Sequence, residues 1–251
     1  MIVAISGADK DVGKSSLAAF LISRGRDCAA AKFSVHGEEP PGETIVEETA
    51  SGADNDTSRM LRAGASPVYW VRATRETLPG LAAEVLRRVG GKDLVLEGNS
   101  VLEHLQADYS VFIMGPGFDG FKPSAWPALR RADSVLVNGE GRLTGEEAVR
   151  LEREIKSHNP GAKVIFLGER GREEAYSIVL SRIAGREGGG GFVQEKDERV
   201  AAALRERAAD GRIPCAEALA LAEELGVPTL EVGKAANELG IKIVKCSLGC
   251  F

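Results

Sequence analysis

The chain has 251 residues, 43% of them hydrophobic and 27% charged, with 32 Lys and Arg against 37 Asp and Glu for a net charge of −5. That length accommodates one large core plus a satellite domain, and the composition is that of a folded globular protein rather than a disordered one. A net negative balance supplies no overall field for nucleic acid or an anionic membrane, and four cysteines, Cys28, Cys215, Cys246 and Cys250, are too few for a disulfide scaffold.

The first apolar run, "IVAIS", is too short for a membrane span and lacks the basic start and cleavage pattern of a secretory signal, so a cytoplasmic protein is expected. It leads into "SGADKDVGKSS", Ser6 to Ser16, and then into a helical stripe of Leu17, Phe20 and Leu21. A glycine-rich loop between a buried strand and a helix turns backbone N–H groups toward an anion, and the helix N-terminus adds positive potential. Phosphate is the expected guest, cradled by Gly7, Asp9, Lys10, Val12 and Gly13, with Ser16 just beyond. Gly13-Lys14-Ser15 matches the end of the Walker A pattern, in which Lys14 reaches the β/γ-phosphates and the Ser15 hydroxyl takes Mg²⁺.

A second run, "CAAAKF", ends near Lys32, a cation that is costly at the tip of a buried strand unless it meets an anion. From His36 to Asp56 the chain turns to Gly, Pro and acids, where a mobile loop too polar for the core is expected. The helix "TSRMLRAGA" follows. Asp54 or Asp56 can complete the Mg²⁺ ligands, Asp54 being the candidate taken, and either acid can equally cap that helix. After "VYWVRA" comes an amphipathic stretch with Leu78, Leu81, Val85 and Val89 on one face. "DLVLEG" then ends in Glu97, the Walker B arrangement that presents a carboxylate at a strand tip to hold Mg²⁺.

"YSVFIM" precedes the Gly/Pro-rich "GPGFDGFKPSAW", either a plain surface loop or one that brings Lys122 to a second substrate. "SVLVNG" ends in Asn138, a candidate contact to the nucleotide base, but "NGEG" is not the N-K-x-D that reads guanine, so ATP and GTP stay open. Thr144 and Glu147 form a capping box before another amphipathic helix, and "KVIFLG" completes seven apolar runs. Strands alternating with helices in this way predict an α/β fold, a mostly parallel sheet covered by helices.

"GREGGGGF", residues 185–192, reads as a flexible linker between a P-loop domain at 1–184 and a small helical domain at 193–251. In the latter, the stripe Ala218, Leu221, Ala222 and Leu225, the turn "GVPT" with Thr229 as cap, and the stripe Val232, Ala235, Ala236 and Leu239 have helix-turn-helix spacing, followed by a wing-like "IKIVKC". From Asp210 to Phe251 there are four basic residues against six acidic ones, which argues against duplex DNA as a partner. Cys215, Cys246 and Cys250 are either small apolar fillers or, if the chain end folds back, three thiolates for zinc or an iron–sulfur cluster.

The phosphate loop has five residues between Gly7 and Gly13, one more than the standard pattern. In this it resembles dethiobiotin synthetases, whose loop reads G-T-D-T-x-V-G-K-T, at Gly7, Asp9, Val12, Gly13, Lys14 and Ser15. Those enzymes also carry a lysine where Lys32 stands and an acid-Gly strand end where Glu97 stands. The segment "DNDTSRMLRAGA" is similar to one in the molybdopterin-guanine dinucleotide biosynthesis protein B family. ParA-like and MinD-like ATPases place their signature lysine five positions before the P-loop lysine, whereas Lys10 precedes Lys14 by four and reads as a solvated contributor to the anion field.

Together these likenesses span roughly residues 1 to 170. They imply an Mg²⁺-dependent P-loop nucleoside triphosphatase with Lys14, Lys32 and Glu97 as catalytic residues, acting as an accessory in molybdopterin-type cofactor biosynthesis. A partner protein from that biosynthesis and a homodimer are further implied. The alternatives are an ATP-dependent ligase or carboxylase like dethiobiotin synthetase, and a nucleotide-switched regulator or scaffold that uses the helix-turn-helix.

Overall fold

The computed structural model describes residues 1–38, 44–49, 55–139, 143–186, 191, 195–227 and 229–245. The chain divides into two compact units, Met1–Phe192 and Val193–Phe251. In the first, strands and helices alternate: β1 (Ile2–Gly7), α1 (Lys14–Arg24), β2 (Ala29–Val35), β3 (Ile45–Glu47), α2 (Asp56–Arg62), β4 (Val68–Ala73), α3 (Leu78–Val89) and β5 (Leu94–Glu97). A 3₁₀ turn at Ser100–Glu103 leads to β6 (Tyr109–Met114), α4 (Ala125–Arg131), β7 (Ser134–Val137), α5 (Gly145–His158), β8 (Lys163–Phe166), α6 (Leu167–Arg170) and α7 (Arg172–Ala184).

The eight strands form one sheet in the order β3-β4-β2-β5-β1-β6-β7-β8, parallel throughout except for the antiparallel β3–β4 pair. This is the α/β fold expected of a P-loop protein. The chain leaves β1 for β2 on one side and later crosses from β5 over β1 to β6, so the carboxyl end of β1 lies at a topological switch point, where open α/β sheets bind ligands.

Alternation along the strands fills a core on each face. Ala4, Ala31, Leu94, Leu96 and Phe112 face α3, α4 and α5, while Val3, Ile5, Ala30, Val95 and Val111 face α1, α2 and α7. Strands sandwiched in this way read as unbroken apolar runs, which is why seven of them were legible.

The eighth, β3, corrects part of the mobile loop expected from His36 to Asp56. Arg72 N donates to Thr44 O at 2.8 Å and Glu48 N to Val68 O at 2.8 Å, so Ile45–Glu47 satisfies the outer edge of β4 that would otherwise stay unpaired. Residues 39–43 and 50–54 of that segment lie outside the described residues.

The second unit contains α8 (Glu195–Arg207), β9 (Arg212–Pro214), α9 (Cys215–Leu225), α10 (Thr229–Glu238) and β10 (Lys242–Val244), packed around Leu204, Ile213, Leu221, Val232 and Ala236. The strand read from "IKIVKC" falls at β10, and β9 adds a second strand that the sequence did not suggest. β10 returns to pair in parallel with β9, Ile243 opposite Ile213. Both of these isoleucines contribute to the apolar cluster, which fastens the last strand against the helix pair. Thr229 is the first residue of α10 and Pro228 lies outside the described residues. Among the described residues, no helix is long and apolar enough to cross a membrane.

Candidate functional site

The site begins where β1 ends. A Cβ on Gly7 would meet Ile113 O at 2.8 Å and Val12 Cγ2 at 2.9 Å, so only glycine lets the chain turn out of the sheet here. Asn99, just past β5, clamps this point with its amide: Gly7 N donates to Asn99 Oδ1 at 3.0 Å, and Asn99 Nδ2 donates to Gly7 O at 2.9 Å. At the far end of the loop Gly13 has φ 107°, and it caps α1 without any side-chain hydrogen bond. The first-turn N–H groups therefore have no capping side chain, the condition under which a helix N-terminus receives an anion.

The loop is braced from behind. Asn138, at the end of β7, donates its Nδ2 to Val12 O at 2.9 Å, and the Tyr176 hydroxyl on α7 lies 3.5 Å from Gly13 O. Burial raises the Tyr176 phenol above its ordinary pKa, so it remains a neutral donor.

Lys14 is half-buried and turns its ammonium back to Asp9 O at 2.6 Å. Burial holds its pKa below the ordinary lysine value, with Glu97 opposing that trend and Lys32 and Lys122 adding to it. A cation that has shed part of its hydration in this way is prepared for a phosphate.

Behind Lys14, three elements meet. Register pairs Glu97 with Ile5 of β1 on one side and with Lys32 of β2 on the other. The Ser15 hydroxyl lies 2.6 Å from Asp56 Oδ1 and 3.0 Å from Glu97 Oε2. The Lys32 ammonium is bonded to Asp56 Oδ2 and stands 3.5 Å from Glu97 Oε1. Glu97 is only 3% exposed, a burial that a carboxylate tolerates because a hydroxyl and an ammonium attend it. A hydroxyl and two carboxylates form an all-oxygen donor set of the hard type that suits Mg²⁺.

These groups line a cleft of about 530 Å³. Of the residues the sequence singled out, Gly7, Asp9, Lys10, Gly13, Lys14, Ser15, Ser16, Lys32 and Glu97 border it together. Val12 and Asn138 do not: Asn138 holds the Val12 carbonyl and so braces the loop from behind. Asp54 lies outside the described residues. Asp56 supplies the carboxylate at the site, while Asn55 takes the cap of α2 by accepting from Ser58 N at 2.7 Å.

Lys122 does reach the cleft, pairing with Asp9 at 2.8 Å and drawing that carboxyl below its ordinary pKa. Its loop is held by rings: Phe118 stacks on Trp126 at 5.7 Å, and Phe121 and His158 pack on the same indole at 5.0 Å each. Asn99 and Tyr176 were not anticipated, nor was Arg59 of α2, which borders the cleft. Asn99 alone left a sign, a polar residue directly after the Glu97-Gly98 strand end.

Cys215 opens α9, whereas Cys246 and Cys250 lie outside the described residues, and the proposed three-sulfur site with them. Among the described residues no group of three or more His, Cys, Asp or Glu is placed to hold a metal.

No protein-family model matches this chain, and no curated protein matches it. Chains of solved structures do resemble it. Among them is the crystal structure of the hydrogenase maturation factor HypB from Archaeoglobus fulgidus, with a TM-score of 0.47 and 19% identity over 74% of this chain and 89% of that one.

Proposed function

We propose that the protein binds ATP or GTP with Mg²⁺ in this cleft and hydrolyses it. The observation that carries the reading is the convergence of Ser15, Asp56 and Glu97 directly behind Lys14, at the mouth of a loop whose geometry requires Gly7 and Gly13. The loop backbone and the first turn of α1 would take the β- and γ-phosphates, and the Lys14 ammonium would leave Asp9 O to balance the charge that develops on the transferred phosphoryl group. Ser15, Asp56 and Glu97 would hold Mg²⁺, which when bound neutralises charge on the phosphate oxygens. Asn99, Asn138 and Tyr176 keep the loop in its receiving shape before any ligand arrives.

Within this reading, the likeness of the segment around Asp56 to the molybdopterin-guanine dinucleotide biosynthesis proteins supports an accessory role in maturing a molybdopterin-type cofactor. A second reading, an ATP-dependent ligase or carboxylase, draws on Lys32 and Lys122, which both line the cleft beyond the phosphate loop where an anionic acceptor could lie. Rescue of a biotin-requiring strain would select the ligase, because an accessory NTPase does not restore that growth.

The direct test is calorimetric titration of MgATP and MgGTP into wild type and Lys14→Ala. Binding at micromolar affinity that weakens at least tenfold, about 1.4 kcal/mol, in the variant is expected. Failure of the wild type to bind either nucleotide would remove the proposal.

A further inference from the structure

Two carboxylates meet at the site, and Lys32 stands between them. Its ammonium bonds Asp56 and lies 3.5 Å from Glu97, while the Ser15 hydroxyl touches the opposite oxygens of the same two acids, Asp56 Oδ1 and Glu97 Oε2. The Glu97 side chain is 4% exposed, against 25% for Lys32 and 29% for Asp56, so water screens this cluster weakly. Two acids so placed repel one another unless a cation lies between them.

Resting on the nucleotide reading, we infer that Lys32 is an internal stand-in for the divalent cation, one that keeps bare metal out and yields its place only when metal and polyphosphate arrive together. A divalent ion held by Ser15, Asp56 and Glu97 would sit within a few ångströms of the ammonium, where like charges in a poorly screened site repel strongly. Metal and ammonium therefore exclude one another at these oxygens. Lysine is suited to the exchange, since its charge is a compact point on a flexible four-carbon stem that can swing from acids to a phosphate. Among the described residues the acids paired with Lys32 are Asp56 and Glu97, the same ones a free divalent ion would take, whereas a nucleotide-bound ion brings phosphate oxygens into the same cleft as new partners for the ammonium. The device preorganises the carboxylates at rest and couples metal entry to nucleotide entry.

The test uses Mn²⁺ alone, followed by electron paramagnetic resonance, on full-length protein stripped of metal and free of nucleotide. Lys32→Met is expected to bind Mn²⁺ at least tenfold more tightly than wild type, Lys32→Arg to stay as weak as wild type, and Lys32→Met combined with Glu97→Gln to lose the gain. In thermal melts, Mn²⁺ should raise the transition of Lys32→Met and leave that of wild type unchanged. Equal Mn²⁺ affinity in wild type and Lys32→Met, or a gain that survives Glu97→Gln, overturns the inference. So does a Lys32→Met chain that stays unfolded even with Mn²⁺, because the ion should replace the missing charge. No nucleotide enters this assay, so a wild type that fails to bind ATP or GTP removes the nucleotide reading alone, and equal Mn²⁺ affinities remove this one alone.

Discussion

Cys28 is 2% exposed, immediately ahead of β2, and its desolvated thiol is pushed up to about 11 from an ordinary 9.0. In the unfolded chain the thiol ionises near its ordinary value, whereas in the folded chain it stays protonated. The contribution is thus intact below about pH 9 and is lost as pH climbs from there through 11, at a cost of ~3 kcal/mol. Denaturant midpoints of wild type and Cys28→Ala should therefore converge, with the wild-type advantage shrinking as pH rises between those values, and iodoacetamide at pH 8 should spare Cys28 in the folded protein. A constant difference across the range would show that the thiol is not desolvated. Lys14 and Ser15 were legible because one local motif decides them. Asp56 was harder. Two acids on either side of a helix start look alike in sequence; the fold shows that the Asn55 amide oxygen accepts from Ser58 N, which leaves Asp56 to face Ser15 and Lys32.

The β1–loop–α1 element rests on close approach rather than on side-chain packing. Replacing Gly7 by alanine sets a methyl group 2.8 Å from a backbone carbonyl of β6, an atom that cannot rotate away. The expected cost is about 2 kcal/mol from overpacking. Because Asn99 grips both the N–H and the carbonyl of Gly7, the shift would spread into the loop, so nucleotide affinity should fall alongside the melting temperature. Gly64→Ala is a useful contrast: no atom lies within 4 Å of its Cβ position, although φ 106° strains the backbone, so stability alone should suffer. If Gly7→Ala binds nucleotide as wild type does, the loop is not held by that contact.

The same scale explains what the sequence concealed. Buried parallel strands announce themselves as continuous apolar runs, but Ile45–Glu47 is two half-exposed residues and an exposed glutamate among acids and exists because β4 offers an edge to pair with. Asn138 likewise sits where a base contact is sought in nucleotide-binding folds, and only the fold shows its amide turned to Val12 O. A hydrogen bond across 126 positions leaves no periodicity to read.

At the scale of the molecule, among the described residues, the apolar clusters of the first unit end with Ile183 and that of the second begins with Val200, with no residue in common. Two separate cores predict two separable unfolding events. A unit on the order of 60 residues buries a smaller fraction of its surface than a large one, so Val193–Phe251 should melt first. Nucleotide bound only by the first unit stabilises it by about 2.7 kcal/mol at a hundredfold excess over Kd and leaves the second where it was. Differential scanning calorimetry of the full chain should accordingly resolve two transitions, with only the upper one rising on addition of MgATP or MgGTP. Residues 1–192 expressed alone should bind nucleotide with unchanged affinity. A single transition that moves as a whole with nucleotide would mean that the units unfold as one, and the second unit would then have to be counted as part of the machinery that nucleotide controls.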